Sequence, residues 1–305
     1  MSRSEARASA EGKRRGWGPG ASDECPQIVN AMTVDVEDYF QVSAFDGVVS
    51  RDSWPTRESR VESNTDRLLA LFEGSGLHAT FFVLGWVAER FPGLVRRIAG
   101  HGHEVASHGF HHELLYRLTP EQFRADVRRA KQAIEGAAGQ PVAGYRAPSY
   151  SIVRSTLWAL DVLVEEGYKY DASIFPIHHD RYGIPDAERH PHAVERGGGT
   201  LVEFPASTVR VGGTNLPIAG GGYFRLLPYA WTRWGMLRVN QAEGRPVVFY
   251  LHPWEIDPDQ PRLDVGFATR LRHYSGLAQT AKRLVRLMRE FRFDTVQTVL
   301  KQETA

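Results

Sequence analysis

Short apolar runs alternate with stretches of helical period along most of the chain. Residues 28–36, 79–84, 104–107, 143–145, 168–172, 201–204 and 247–251 are brief, apolar and bounded by turn or polar residues, which predicts strands. Between them the period changes. Asn64 is the expected N-cap of a helix through Phe72, with Gly74 and Gly76 as its stop, and residues 86–99 form a second helix ended by Gly100. Thr119-Pro120-Glu121-Gln122 has the form of a capping box with proline at the first helical position. Phe123, Val127, Ala130 and Ile134 then fall on one helical face, with Gly136 near the end. Further helices are expected over 156–166 and 229–240, and around Leu277, Ala281, Leu284, Val285 and Met288. This alternation predicts an α/β protein with a mostly parallel sheet flanked by helices. The pattern alone leaves an open sheet and a closed barrel as equals.

Composition narrows the class. The 305 residues carry 37 Lys+Arg and 36 Asp+Glu, a net charge of +1, so bulk nucleic-acid binding is not expected. With 42% hydrophobic residues the chain has enough apolar material for a folded core. Residues 1–27 are Gly-, Ser- and Arg-rich without periodicity and are expected to be a disordered leader. They contain no apolar core of a secretory signal, and no run reaches the roughly 18 apolar residues of a membrane span. The expected location is therefore cytoplasmic, with peripheral membrane association left open. The single cysteine, Cys25, excludes an internal disulfide and a multi-cysteine metal site. At about 150 residues per domain the length suggests two domains, yet α/β barrels of about 250 residues commonly form one.

Candidate chemistry lies at the predicted strand ends, where the loops of α/β folds converge. The first strand runs into Asp35-Val36-Glu37-Asp38. Residues 104–107 lead to His108-Gly109-Phe110-His111-His112, residues 143–145 to Arg146-Ala147-Pro148-Ser149-Tyr150, and residues 247–251 to His252-Pro253-Trp254-Glu255. Each cluster alone has an ordinary reading as a solvated loop or a structural side chain. His108 and His112 do have the i, i+4 spacing that can chelate one metal. The zinc-protease pattern fails, because His103-Glu104 is followed at the required spacing by Ser107. Carboxylates, paired histidines, an arginine and a lone histidine at successive strand ends make up the inventory of a metal-assisted hydrolase.

In that order the motifs resemble those of the polysaccharide deacetylases of the NodB-homology type (carbohydrate esterase family 4). The matching segments are Thr33 to Asp38, Ser107 to His112, Tyr145 to Tyr150, Tyr170-Asp171-Ala172-Ser173 and Leu251-His252-Pro253-Trp254. VDVEDYF, GGGYFRLLP at residues 220–228 and YLHPWEID are similar to the subgroup associated with exosortase and exopolysaccharide loci. The resemblance implies a distorted (β/α)7-type barrel, with residues 28–305 as one catalytic domain and a family-specific C-terminal region from about residue 220. It also implies a divalent metal, zinc or else cobalt or a similar ion, and an N-acetylated polysaccharide or oligosaccharide as substrate. Asp35 corresponds to the general base and His252 to the general acid. Arg146 orients the base, Asp171 partners His252, and the backbone N–H of Tyr150 stabilises the oxyanion. His108 and His112 correspond to metal ligands. Two features depart from the family pattern: D-V-E-D stands in place of adjacent aspartates, and Gly109 in place of Ser or Thr. The metal carboxylate is therefore expected at Asp38, with Glu37 as the alternative. Trp254, Tyr150 and Phe224 are candidate faces for a pyranose ring. Two other readings remain: an allantoinase-like amide hydrolase with the same metal site, and a barrel glycosidase using two of Asp35, Glu37, Asp38 and Glu255.

Overall fold

A computed structural model describes residues 28–303 of the chain. The leader expected over residues 1–27, and Cys25 within it, lie outside the described residues. In chain order the first half comprises β1 (Val29–Val36), α1 (Val61–Glu73), β2 (Thr80–Val83), α2 (Gly85–Arg90), α3 (Pro92–Gly100), β3 (Glu104–Ser107), α4 (Pro120–Ala138), β4 (Gly144–Tyr145), α5 (Ala159–Glu165) and β5 (Tyr170–Asp171). The second half adds β6 (His192–Arg196), β7 (Gly199–Glu203), β8 (Thr208–Val211), β9 (Thr214–Pro217), α6 (Gly221–Leu226), α7 (Tyr229–Leu237), β10 (Val248–Leu251), α8 (Phe267–Tyr274), α9 (Leu277–Glu290), β11 (Arg292–Asp294) and α10 (Val296–Glu303).

Seven strands in the spatial order β10-β1-β2-β3-β4-β5-β7 are all parallel. β6 adds antiparallel to β7, and β11 pairs with the start of β1. Regular pairing stops between β7 and β10. A single parallel bridge, Gly220 to Tyr250, lies on the far side of β10, so the wheel is a distorted barrel. The β8–β9 hairpin stands apart as a two-stranded ribbon.

Alternation along the strands sorts side chains between two cores. Met32, Val34, Val36, Phe81, Val83, Val105, Tyr145, Phe249 and Leu251 face outward into the layer formed with the helices. Ala31, Phe82, Ala106, Tyr170, Ala172 and Val248 fill the barrel, closed below by Val296, Val299 and Leu300 of α10. The inside is tight: a Cβ on Gly144 would stand 1.9 Å from the Tyr170 ring.

Several predicted boundaries move. α1 begins three residues before Asn64, which is inside the helix and hydrogen-bonds Asp257. The helix expected over 86–99 is two helices, because Pro92 cannot continue the first and instead starts the second. The capping box of α4 forms as its motif requires, and the helix ends at left-handed Gly139, past Gly136.

Candidate active site

The same alternation decides which polar residues meet at the barrel mouth. Along β1, Ala31 lies inside and Met32, Val34 and Val36 outside, so Thr33, Asp35 and then Glu37 continue the inward row. His108 continues the row of Ala106, Arg146 that of Gly144, and His252 that of Val248 and Tyr250. Asp35, Glu37, His112, Tyr150, Tyr250, His252, Trp254 and Glu255 line a common cavity of about 300 Å³.

Arg146 is the buried centre of the arrangement. Its Nη1 donates to Asp35 Oδ1 at 2.7 Å and to Thr33 Oγ1 at 2.8 Å, and its Nε donates to the Ala172 carbonyl at 3.2 Å. Asp35 is thereby fixed in orientation, with Oδ2 left facing His252 Nε2 at 3.9 Å. Glu37 Oε2 lies 2.8 Å from His112 Nε2, and Trp254 Nε1 donates to Glu37 Oε1 at 3.1 Å. Burial pushes the Glu37 carboxyl up, but the His112, His252 and His108 imidazoles outweigh it and hold it down at about 2.

One ligand atom each from Glu37, His108 and His112 lies within 4.8 Å of the others, and all three residues are buried. His108 Nδ1 is 2.8 Å from the Arg146 carbonyl, which leaves Nε2 as the nitrogen free to bind a metal. Burial, only partly offset by Asp35 and Glu37, pulls His108 down to about 4 and keeps it neutral, the form that binds metal. Two imidazoles and one carboxylate fit a divalent ion with positions left open.

Asp38, the carboxylate the sequence favours for that set, is not in it. It falls on the outward parity and caps the start of α1, accepting from Ser59 Oγ (2.6 Å), Arg60 N (3.0 Å) and Val61 N (3.3 Å). Burial outweighs these hydrogen bonds and pushes its carboxyl up to about 6. Glu37, two residues along the inward row from Asp35, takes the place beside the histidines.

A second correction concerns the partner of His252. Asp171 is on the outward parity of β5, between inward Tyr170 and Ala172. It accepts from Ser173 Oγ at 2.5 Å and is the cross-strand neighbour of Glu203. Burial raises both carboxyls, and mutual repulsion adds to the rise at Glu203. The residue beside His252 is Glu255, whose Oε1 lies 3.3 Å from Nδ1 and accepts from Arg225 Nε at 3.2 Å. Burial pulls His252 down, but Glu255, Glu37 and Asp35 outweigh it and push it up to about 9. The sequence contained the signal for Glu255, an acid three residues after the histidine, but offered it only a glycosidase role.

The remaining candidates separate. Trp254 lines the cavity, stacked between His252 (5.0 Å) and His273 (4.2 Å). Phe224 is core, packed edge-on against Phe249. The Tyr150 N–H already donates to the Ala147 carbonyl at 3.1 Å, so the donor expected there is engaged. Its buried hydroxyl has no hydrogen-bond partner among the described residues. Ser149 and Tyr150 are both left-handed, with φ of 52° and 54°, and this turns the Tyr150 ring back over the Arg146 guanidinium at 5.8 Å. Gly109 also has a reason. Its φ is +74°, and a Cβ there would stand 3.0 Å from Asp126 Oδ2, which accepts the Phe110 N–H.

Comparison with known proteins divides the chain into two matched stretches. Residues 47–170 match the polysaccharide deacetylase family, and residues 172–301 match a domain of unknown function (DUF3473). The first stretch holds His108, His112 and Arg146; the second holds His252, Trp254 and Glu255. Over 98 residues the chain is 31% identical to a peptidoglycan-N-acetylglucosamine deacetylase of Bacillus cereus, covering 32% of this chain and 36% of that protein. Over 119 residues it is 33% identical to a peptidoglycan deacetylase of Helicobacter pylori, covering 39% of each. Over 85 residues it is 38% identical to a chitooligosaccharide deacetylase of a Bradyrhizobium species, covering 28% and 36%. The matches thus span little more than a third of these relatives' own length. A solved structure from Mycobacterium smegmatis assigned to the polysaccharide deacetylases aligns over 88% of this chain and 93% of its own, at 24% identity and a TM-score of 0.56. That likeness concerns the fold.

Proposed function

We propose, for a chain that belongs to the NodB-homology polysaccharide deacetylases (carbohydrate esterase family 4), that it is a metal-dependent hydrolase removing N-acetyl groups from an N-acetylated polysaccharide or oligosaccharide. The observation that carries this reading is the buried cluster of Glu37, His108 and His112 beside a cavity that Glu37 and His112 line together with Asp35 and His252. Glu37, His108 and His112 would hold the divalent ion, zinc being the expected one. When bound, such an ion polarises a carbonyl and lowers the pKa of water toward about 7.

The chain's own residues divide the proton work. Asp35, oriented by Arg146, takes a proton from water as the water oxygen bonds to the acetamide carbon. The Tyr150 hydroxyl, buried and without another partner, donates to the carbonyl oxygen as that oxygen gains charge. His252, paired with Glu255, gives its proton to the sugar nitrogen as the carbon–nitrogen bond breaks, leaving acetate and the free amine. Trp254 keeps the His252 ring in place by stacking on it and ties Glu37 to the same wall.

The glycosidase alternative needs a carboxyl raised to serve as acid. Glu37 and Glu255 are both held low, and Asp38, which is raised, does not line the cavity. A role in exopolysaccharide synthesis is the finer part of the same proposal and rests on the GGGYFRLLP and YLHPWEID segments. The test is acetate release across a panel of N-acetylated oligosaccharides, with and without chelator. Chelator-sensitive release supports the proposal; release of reducing ends without acetate overturns it.

A further inference from the structure

Every acid lining the catalytic cavity already has a basic side chain beside it: Asp35 meets Arg146, Glu37 meets His112, and Glu255 meets Arg225 and His252. Two further arginines line the same cavity and make no ion pair among the described residues. Arg181 makes one side-chain hydrogen bond, from Nη2 to Ser43 Oγ at 3.1 Å, and Ser43 in turn meets Ser149 Oγ at 2.8 Å. Arg272 makes no side-chain hydrogen bond or ion pair among the described residues. The nearby Asp180 is engaged by His179 at 3.0 Å.

Both arginines stand on fixed backbone while their guanidinium groups face solvent. The segment bearing Arg181 is held by a stack in which His179 lies 3.8 Å from Tyr182 and Tyr182 5.8 Å from Phe175. Arg272 is in the last turn of α8, whose end carbonyls are capped from below. The buried Arg225 guanidinium donates to the carbonyls of Arg272 (3.0 Å), His273 (2.8 Å) and Ser275 (2.8 Å). Next to Arg272, His273 stacks on Trp254, which stacks on His252, and all four residues line the one cavity. Two uncompensated, positioned guanidinium groups make a field suited to an oxyanion, which a planar fork binds bidentately.

We propose that Arg181 and Arg272 form an anion subsite that receives a carboxylate or phosphate carried on the sugar adjoining the N-acetylated one. This rests on the deacetylase reading and narrows its substrate class to acidic, N-acetylated glycans or their phosphate-linked precursors. The test measures binding without turnover, using the full-length Asp35→Asn chain and calorimetry at low salt. Three probes are compared: a neutral N-acetylglucosamine oligomer, an oligomer alternating N-acetylglucosamine with glucuronic acid, and a diphosphate-linked N-acetylglucosamine. At least one acidic probe is expected to bind about tenfold or more tightly than the neutral one. That preference should weaken as salt rises, and Arg181→Gln with Arg272→Gln should bring the ratio close to one. The tighter of the two acidic probes identifies the source of the anion. Equal affinity for all three probes, or a preference that survives the double substitution, overturns the subsite. A chain that binds acidic probes selectively but whose unsubstituted form releases no acetate leaves the subsite standing and removes the hydrolase reading. Release of acetate with equal affinities for all probes does the reverse.

Discussion

A spacing of two residues assigns the carboxylates of Asp35-Val36-Glu37-Asp38 to opposite sides of the barrel wall. The inward row of Ala31, Thr33, Asp35 and Glu37 could have been read from the outward Met32, Val34 and Val36, and it puts Asp38 on the helix side. The same rule puts Asp171 outside, between inward Tyr170 and Ala172. Both corrections were thus legible in the sequence. Adjacency in a family motif obscured them, because a motif records order and not which face a residue takes. Glu37→Ala is expected to lose bound metal and activity together, whereas Asp38→Asn keeps its metal and lowers the melting temperature by weakening the start of α1. Elemental analysis beside a thermal melt checks both. Glu255→Gln should lower kcat by about 10²-fold, since it weakens the partner of the acid while leaving the ligands intact. Asp171→Asn should change kcat far less. The ranking of those two variants in a steady-state acetate assay decides between them.

The elements the pattern made visible are those whose apolar run or helical stripe faces a single core. β1, β2, β3, β10, α4 and α9 lie close to their expected places. β6, β8 and β9 were not visible, because they are short and half exposed and alternate too weakly to stand out. α10 was missed for another reason: its eight residues close the barrel floor, a role that exists only once the barrel has formed. Its N-terminus is held by side chains from two strands, Thr80 Oγ1 accepting from Val296 N (2.8 Å) and Glu104 Oε2 from Gln297 N (3.2 Å). Val299→Asp puts a charge against Ala31, Phe82 and Val248 and should cost about 3 kcal/mol or more, read from the denaturant midpoint. An unchanged midpoint would mean that α10 does not seal the floor.

Across the whole molecule the two matched stretches are one structure. β7, β10 and β11, all within residues 172–301, join the sheet begun by β1 to β5, and the proposed acid follows β10 within that second stretch. A domain of unknown function here supplies His252 and Glu255 to a site that takes His108, His112 and Arg146 from the deacetylase-matched segment and Asp35 and Glu37 from the end of β1, ahead of both matches. The opposite, lower end of the barrel carries a stability signature separate from that chemistry. His103 is buried there, its Nδ1 accepting from Ala79 N at 3.1 Å, and burial, with help from His78 and His101, pulls it down to about 4. The folded state therefore binds this proton less readily than the unfolded state. His103 contributes stability that is present above pH about 6.5 and is lost progressively as the pH falls toward 4. Melting temperature against pH should show that decline, and His103→Gln should flatten it; parallel profiles would refute the assignment.

The central claim is that Asp35 and His252 move protons across a cavity whose metal is held by other residues. The most direct measurement is acetate release by Asp35→Asn, made on the zinc-reconstituted chain with metal content determined on the same sample. The substitution keeps the shape of the side chain and its contact with Arg146 but removes the base. Loss of about 10²- to 10⁴-fold in kcat with metal content unchanged is the predicted result. Acetate release near the wild-type rate, or loss of the metal along with activity, would contradict the account.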